Sequence, residues 1–201
     1  MTIDCIILAA GAATRFGSCK LIADYQGQPL IGYAIDVAKA LAPERIVIVT
    51  GASHEQLIGH GELTRYRIQL DAPEIELVYC ADWQMGMGHS LAYGVNQLDN
   101  DRPVLVLLGD QPRITANDLK RLYRLWNASP SQIICASFAD TLGVPAIFPA
   151  NFKTHLRSCA GDRGAKQLLF NFAQQVVAVQ MPSAEFDIDT LEDLQHELAL
   201  P

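Results

Sequence analysis

No apolar run in the chain approaches the roughly 20 residues of a membrane-spanning helix, and the first residues carry no signal-peptide pattern. The expectation is a cytoplasmic protein without membrane contact. No C-x-x-C pair occurs. Cys5, Cys19, Cys80, Cys135 and Cys159 are scattered and odd in number, which argues for reduced thiols, buried where they fall in strands. His54, His60, His155 and His196 show no metal-ligand spacing. Charge is scarce: 18% of residues are charged, with a formal net charge of −7. That balance removes the general electrostatic basis for binding long nucleic acid. A nucleotide, itself anionic, would have to be met by local cations or by a metal. No internal repeat or low-complexity linker interrupts the 201 residues, half of them hydrophobic, so one domain over 1–201 with a substantial core is expected.

Two familiar phosphate-binding loops are also missing. A P-loop has four residues between its glycines and then Lys-Ser/Thr; here five separate Gly11 from Gly17, and Lys20 precedes Leu21. The dinucleotide fingerprint G-x-G-x-x-G fails at Ala13, where its second glycine would stand.

What is present is the stretch Ile6 to Lys20, IILAAGAATRFGSCK. Ile6-Ile7-Leu8 is a short apolar run that reads as a buried strand. It empties into Ala9, Ala10, Gly11, Ala12 and Ala13, side chains small enough to let a ligand approach the backbone, with Gly11 free to take unusual dihedrals. Arg15 and Lys20 follow. A strand end, a small-residue loop and two cations suit a polyphosphate; an ordinary tight turn with surface cations is the alternative.

Along the chain, helices are predicted over Leu30–Leu41 with Pro29 in the first turn, from Gly51 onward, from near His89, over Thr115–Trp126, Ala165–Phe172 and Thr190–Leu198. Thr115 with Asp118, and Thr190 with Asp193, have the spacing of capping boxes. Strands are predicted at Arg45–Thr50, Glu76–Cys80, Pro103–Leu108 (the most apolar, hence central), Ser131–Phe138, Val144–Phe148 and Gln175–Gln180. The alternation implies an α/β fold with parallel βαβ units, and the segment Asp140 to Gly143 marks a hairpin or antiparallel excursion.

In an open parallel sheet ligands collect at the carboxyl ends of the strands. That rule selects the opening loop, Gly86-Met87-Gly88, and Gly109-Asp110-Gln111-Pro112. Asp110 at the end of a buried strand makes sense if a divalent cation bridges it to phosphates, with Asp187 or Asp189 as a second carboxylate. The competing readings are a turn aspartate before proline and a helix-entry aspartate beside Thr190. His89, Cys19, Trp83 and Met87 fit cap, filler or loop packing as well as ligand contact.

Leu8-Ala-Ala-Gly11-x-x-x-Arg15-x-Gly17-x-x-Lys20, Gly109-Asp-Gln-Pro112, Gly143-x-Pro145, Gly161-Asp162-x-Gly164-Ala165 and Asp187-Ile-Asp-Thr190 occur in one order across nearly the whole chain. Together they resemble the MobA-like nucleotidyltransferases, most closely the molybdenum cofactor cytidylyltransferase branch. The resemblance implies a three-layer, Rossmann-like fold with a mostly parallel sheet and a small antiparallel excursion. It implies Mg²⁺-dependent transfer of CMP from CTP to the terminal phosphate of molybdopterin, with a molybdoenzyme or its maturation chaperone as a possible recipient. A guanylyltransferase, a sugar-phosphate nucleotidyltransferase and a non-catalytic cofactor-delivery protein are the alternatives.

Carried over residue by residue, the resemblance puts Arg15, Lys20 and Asp110 in catalysis. Leu8, Ala9, Ala10, Gly11, Gly86, Gly88 and Ser90 join them in nucleotide binding. Gln111, Pro112, Gly143, Pro145, Asp162, Gly164 and Ala165 fall on the acceptor side. Asp110 binds metal with Asp189, or in second place Asp187. Ala10-Gly11, where guanylyl relatives carry Gly-Gly, points to CTP. Lys166 and Leu191 stand where many relatives have Arg and Pro, and no His accompanies Pro145.

Overall fold

The computed structural model describes residues 2–61, 63, 74–99 and 101–199. The stretch between the helix predicted from Gly51 onward and the strand predicted at Glu76–Cys80 lies largely outside these residues. Strand β1 (Asp4–Ala9) is buried along its length. The hairpin β2 (Asp24–Tyr25) and β3 (Gln28–Pro29) leads into α1 (Leu30–Lys39), with Pro29 capping the helix from outside its first turn. Then follow β4 (Arg45–Thr50), α2 (His54–Gly59), β5 (Glu74–Tyr79), α3 (Met87–Val95) and β6 (Val104–Leu108). The second half contains α4 (Ala116–Ala128), β7 (Ile133–Phe138), β8 (Thr141–Phe148), α5 (Lys153–Arg157), α6 (Ala165–Asn171), β9 (Val176–Gln180) and α7 (Leu191–Leu198).

Seven strands form one sheet in the order β5-β4-β1-β6-β8-β7-β9. β6 is the middle strand, as its unbroken apolar run requires of a strand covered on both faces. β8 alone runs against the rest, pairing antiparallel with both β6 and β7. This is the antiparallel excursion, but it is longer than Val144–Phe148. The strand begins at Thr141 and the turn is only Ala139-Asp140, both at positive φ (42° and 56°), the handedness a two-residue hairpin needs. Register slips between Cys135 and Ala136, leaving Val144 and Pro145 without ladder partners, a position that suits a residue lacking an N–H.

Alternation along β1 splits the core in two. Cys5 and Ile7 face a cluster with Ile31 and Ile35 of α1 and Leu119, Leu122 and Trp126 of α4. Ile6 and Leu8 face another with Leu91 and Val95 of α3 and Leu168 and Leu169 of α6. The result is three layers, helices on each face of the sheet. Both capping boxes form: Thr115 and Thr190 accept from the backbone of Asp118 and Asp193, whose side chains accept in return. Among the described residues no helix is long and apolar enough to cross a membrane.

Candidate functional site

β1 and β6 are neighbours in parallel register, Leu8 opposite Leu108, so the loops leaving their carboxyl ends emerge side by side. Gly109 N–H donates to the Leu8 carbonyl at 3.0 Å, extending the ladder by one bond into the loops. The chain travels from β1 toward β4 on one side and reaches β6 on the other, which opens a crevice at this point. A cavity of about 530 Å³ occupies it. Leu8, Ala9, Ala10, Gly11, Arg15 and Lys20 form one wall, Gly86 and Ser90 another, and Asp110, Asp162, Asp187 and Asp189 complete it.

Charge is concentrated on one side of that cavity. Lys20 Nζ lies 2.8 Å from Asp110 and 2.8 Å from Asp189, while Arg15 reaches Asp189 at 2.6 Å. Lys20 is only 12% exposed, whereas Arg15 is 70% exposed and its pair is correspondingly weak. Burial alone would lower the Lys20 pKa, but Asp110 and Asp189 outweigh it and hold the ammonium above its ordinary value. Burial likewise works to raise Asp189, yet Lys20 and Arg15 bring it below the usual carboxylate range. Asp187, exposed at the surface, has no salt bridge among the described residues, and partial desolvation by the cavity wall together with the charges of Asp110 and Asp189 pushes it up.

Oxygens of Asp110, Asp187 and Asp189 lie within 4.8 Å of one another. Asp110 Oδ1 is buried with no hydrogen-bond partner, an acceptor left for a ligand the protein does not supply. Three carboxylates against two cations leave the cluster one negative charge in excess. An all-oxygen donor set with an orphaned buried oxygen fits a hard divalent cation such as Mg²⁺ or Mn²⁺.

Residues 5–177 match the MobA-like NTP transferase domain. The chain belongs to that family. The matched domain is an NTP transferase domain. Among curated proteins, the chain is 35% identical over 172 residues to the bifunctional protein GlmU of Pseudomonas aeruginosa, covering 84% of this chain and 33% of that one. GlmU of Burkholderia thailandensis is 39% identical over 119 residues, 58% of this chain and 24% of its own length. The chain thus spans a quarter to a third of these relatives. Its fold is that of Rv0371c from Mycobacterium tuberculosis H37Rv (TM-score 0.78, 23% identity, full coverage of both chains). A second structure of Rv0371c, in complex with manganese, superposes at TM-score 0.73 with 23% identity and 98% coverage of each chain. The 4-diphosphocytidyl-2C-methyl-D-erythritol synthase of Anaerococcus prevotii gives 0.74 at 18% identity, covering 98% of this chain and 97% of its own.

Several residues that the MobA-like motifs point to lie outside the cavity wall. Gly88, Gln111, Pro112, Gly143, Pro145, Gly164 and Ala165 do not line it. Gln111 is buried and donates from Nε2 to the Ala184 carbonyl at 2.9 Å. Gly143 leaves room for the Phe138 ring, and Gly164 (φ +52°) for Met87. The loop Gly161–Gly164 is interlocked with Gly86–Gly88: Gly88 N–H donates to the Gly161 carbonyl at 2.7 Å. Of that loop, Asp162 reaches the cavity. Ser53, Gln84, Thr14 and Leu108 also line it and carried no sequence signal of their own, whereas Trp83, Met87 and Cys19, ambiguous in sequence, do line it.

Two glycines have opposite roles in this MobA-like site. Gly11, free to take unusual dihedrals, does not adopt a positive φ, and a Cβ there would meet nothing within 4 Å. Its smallness leaves open space in the cavity wall. A Cβ on Gly88 would come within 2.6 Å of the Ala160 carbonyl oxygen and 2.8 Å of its carbon, backbone that cannot swing aside. Gly11→Ala is expected to keep or raise stability by about 0.5 kcal/mol while weakening nucleotide binding. Gly88→Ala is expected to cost about 1–3 kcal/mol, because overpacking exceeds the helix-propensity gain. Urea midpoints and nucleotide titration of both variants check the contrast.

Proposed function

We propose that the chain transfers CMP from CTP to the terminal phosphate of molybdopterin, with residues 1–201 acting as one unit. The observation that carries nucleotidyl transfer is the junction of the small-residue loop with the Lys20–Asp110–Asp189 cluster and the unpartnered Asp110 Oδ1. An acceptor phosphate oxygen attacks the α-phosphorus in line; a new P–O bond forms, the α–β bridging bond breaks, and pyrophosphate leaves with the electron pair. No side-chain nucleophile is needed, since the acceptor is already anionic. The chain's task is positioning and charge stabilisation. Arg15 offers a planar, bidentate donor set to phosphate oxygens, and Lys20 a compact point charge. Asp110, Asp189 and Asp187 would hold a divalent cation, Mg²⁺ in this reading, whose chemistry is to neutralise charge on the phosphates. The manganese complex of a protein of the same fold supports that assignment.

Choice of nucleotide rests on Ala10-Gly11: Ala10 lines the cavity, and its Cβ narrows the space for a base. Choice of acceptor rests on the resemblance of Gly109-Asp-Gln-Pro112 and Asp187-Ile-Asp-Thr190 to the molybdenum cofactor branch. A sugar-phosphate acceptor is the second reading, favoured by the 35% identity to GlmU. Pyrophosphate release with Mg²⁺ and each of CTP, GTP, ATP and UTP, with and without molybdopterin, tests both. Release is expected with CTP only when molybdopterin is present. Release with GTP instead removes Ala10 as the determinant of base, and release only with a sugar phosphate replaces the acceptor.

A further inference from the structure

The acidic cluster is assembled from two segments distant in sequence, and one buried carboxylate outside the cavity lining touches what holds them. Glu197, near the end of α7, is 3% exposed. Its Oε2 accepts from Arg113 Nε at 3.1 Å and from the Tyr25 hydroxyl at 3.3 Å, and its Oε1 accepts from Arg113 Nη2. Arg113 follows Asp110 by three residues, and its guanidinium lies 4.0 Å over the ring of Phe186, the residue before Asp187. Tyr25 stands in β2, five residues past Lys20. The Asp110 loop and the Asp187–Asp189 segment are also stitched directly, Ile188 N–H donating to the Asp110 carbonyl at 3.0 Å and Gln111 to Ala184. Glu197 is thus the shared acceptor for a side chain following each of Lys20 and Asp110, and through Arg113 it reaches the segment bearing Asp187 and Asp189.

We infer that Glu197 is a positioning residue for the metal-binding carboxylates, acting through Arg113 and Phe186. The role rests on the reading of Asp110, Asp187 and Asp189 as a cation site. Three like charges within 4.8 Å repel one another, Lys20 and Arg15 offset only part of that repulsion, and contacts outside the cluster add to the Ile188–Asp110 bond in holding the loops that carry them. Bidentate bonding to a buried anion fixes the direction of the Arg113 guanidinium, which together with the Phe16–Tyr25–Leu30 cluster packs against the ring of Phe186, next to Asp187. Arg113 holds the Glu197 carboxyl below its usual range against the effect of burial, so the anchor stays charged at neutral pH.

The test is direct titration with Mn²⁺, free ion measured by electron paramagnetic resonance, on wild type, Glu197→Gln, Arg113→Gln and the double variant. Glu197→Gln preserves the shape but removes the charge and replaces one acceptor oxygen by an NH₂ donor, so the bidentate pair with Arg113 is broken. Each single variant is expected to bind Mn²⁺ about tenfold more weakly, and the double no more weakly than the weaker single, because the pair acts as one unit. Ile134→Val, a core truncation in β7, should lower the melting temperature and leave Mn²⁺ affinity unchanged, separating positioning from stability. Affinity within twofold of wild type in both single variants overturns the role of Glu197. Absence of Mn²⁺ binding by wild type overturns the cation site itself, and the two failures are distinct.

Discussion

Lys20→Met is expected to raise Mn²⁺ affinity in the absence of nucleotide at least tenfold while lowering nucleotidyl transfer by about three orders of magnitude. The two effects have one cause. Without a ligand, the Lys20 ammonium occupies the space between Asp110 and Asp189, 2.8 Å from each, and so neutralises the carboxylates that a cation would need. Two unit charges about 4 Å apart interact by roughly 4 kcal/mol at an effective dielectric of 20, so removing the ammonium lifts a repulsion worth more than a tenfold change. Methionine retains the buried stem and its packing. Transfer suffers because the same ammonium is then missing from the phosphates, where preorganised charge contributes most. On this reading metal and nucleotide are expected to reinforce each other in the wild type: a cation on the carboxylates would free Lys20 for phosphate, and phosphate drawing Lys20 away would free the carboxylates. Linkage makes that coupling reciprocal. Mn²⁺ titration with and without a non-hydrolysable nucleotide measures it. Unchanged or weaker Mn²⁺ binding by Lys20→Met would show that Lys20 is no placeholder.

Asp110→Asn is the second large effect, expected to reduce transfer by about 10²–10³-fold with the fold and melting temperature nearly unchanged. The change is isosteric. It removes one member of a mutually repelling carboxylate set, and the Gly109 and Ile188 backbone bonds that shape the loop do not involve the side chain. Relief of repulsion on Asp187 offsets the lost pair with Lys20, an ion pair whose partner keeps Asp189. Turnover within threefold of wild type would remove Asp110 from the cation site. Parallel circular dichroism and melting curves guard against misreading a folding defect as a catalytic one.

Much of the architecture was legible because it is written at short range. The strand ending at Ala9 shows as an apolar run emptying into small residues, and the two capping boxes show as Thr and Asp three residues apart. The strand-end rule located the three loops around the cavity before any of them could be seen together. Asp187 and Asp189 both reach the cavity while Ile188 between them is fully buried, the alternation an extended segment predicts.

Other assignments changed meaning once the fold was in hand. The glycines read alike in sequence, yet Gly11 leaves open space in the cavity wall whereas Gly86 and Gly88 admit the backbone of Gly161 and Ala160. Ala13, a residue with no reason in sequence to adopt φ +48°, does so within the loop, its carbonyl accepting from Phe16 and Gly17. Glu197 reads as one more polar residue of an amphipathic helix, and only its burial against Arg113 and Tyr25 distinguishes it.

By itself, then, the sequence determined the order of the seven strands of the main sheet and of most helices, two capping boxes, the buried strand with its small-residue loop, and the residue types available for phosphate and metal, but not the β2–β3 hairpin or α5. Those features depend on side-chain alternation and on hydrogen bonds between residues a few positions apart. The tertiary structure decided that β8 runs backward beside β6, that Lys20 lies between Asp110 and Asp189, and that Glu197 bonds Arg113, whose guanidinium covers Phe186. Each of these contacts joins residues separated by tens of positions or more, and which of them meet is set by the order of strands in the sheet and by where each loop leaves it.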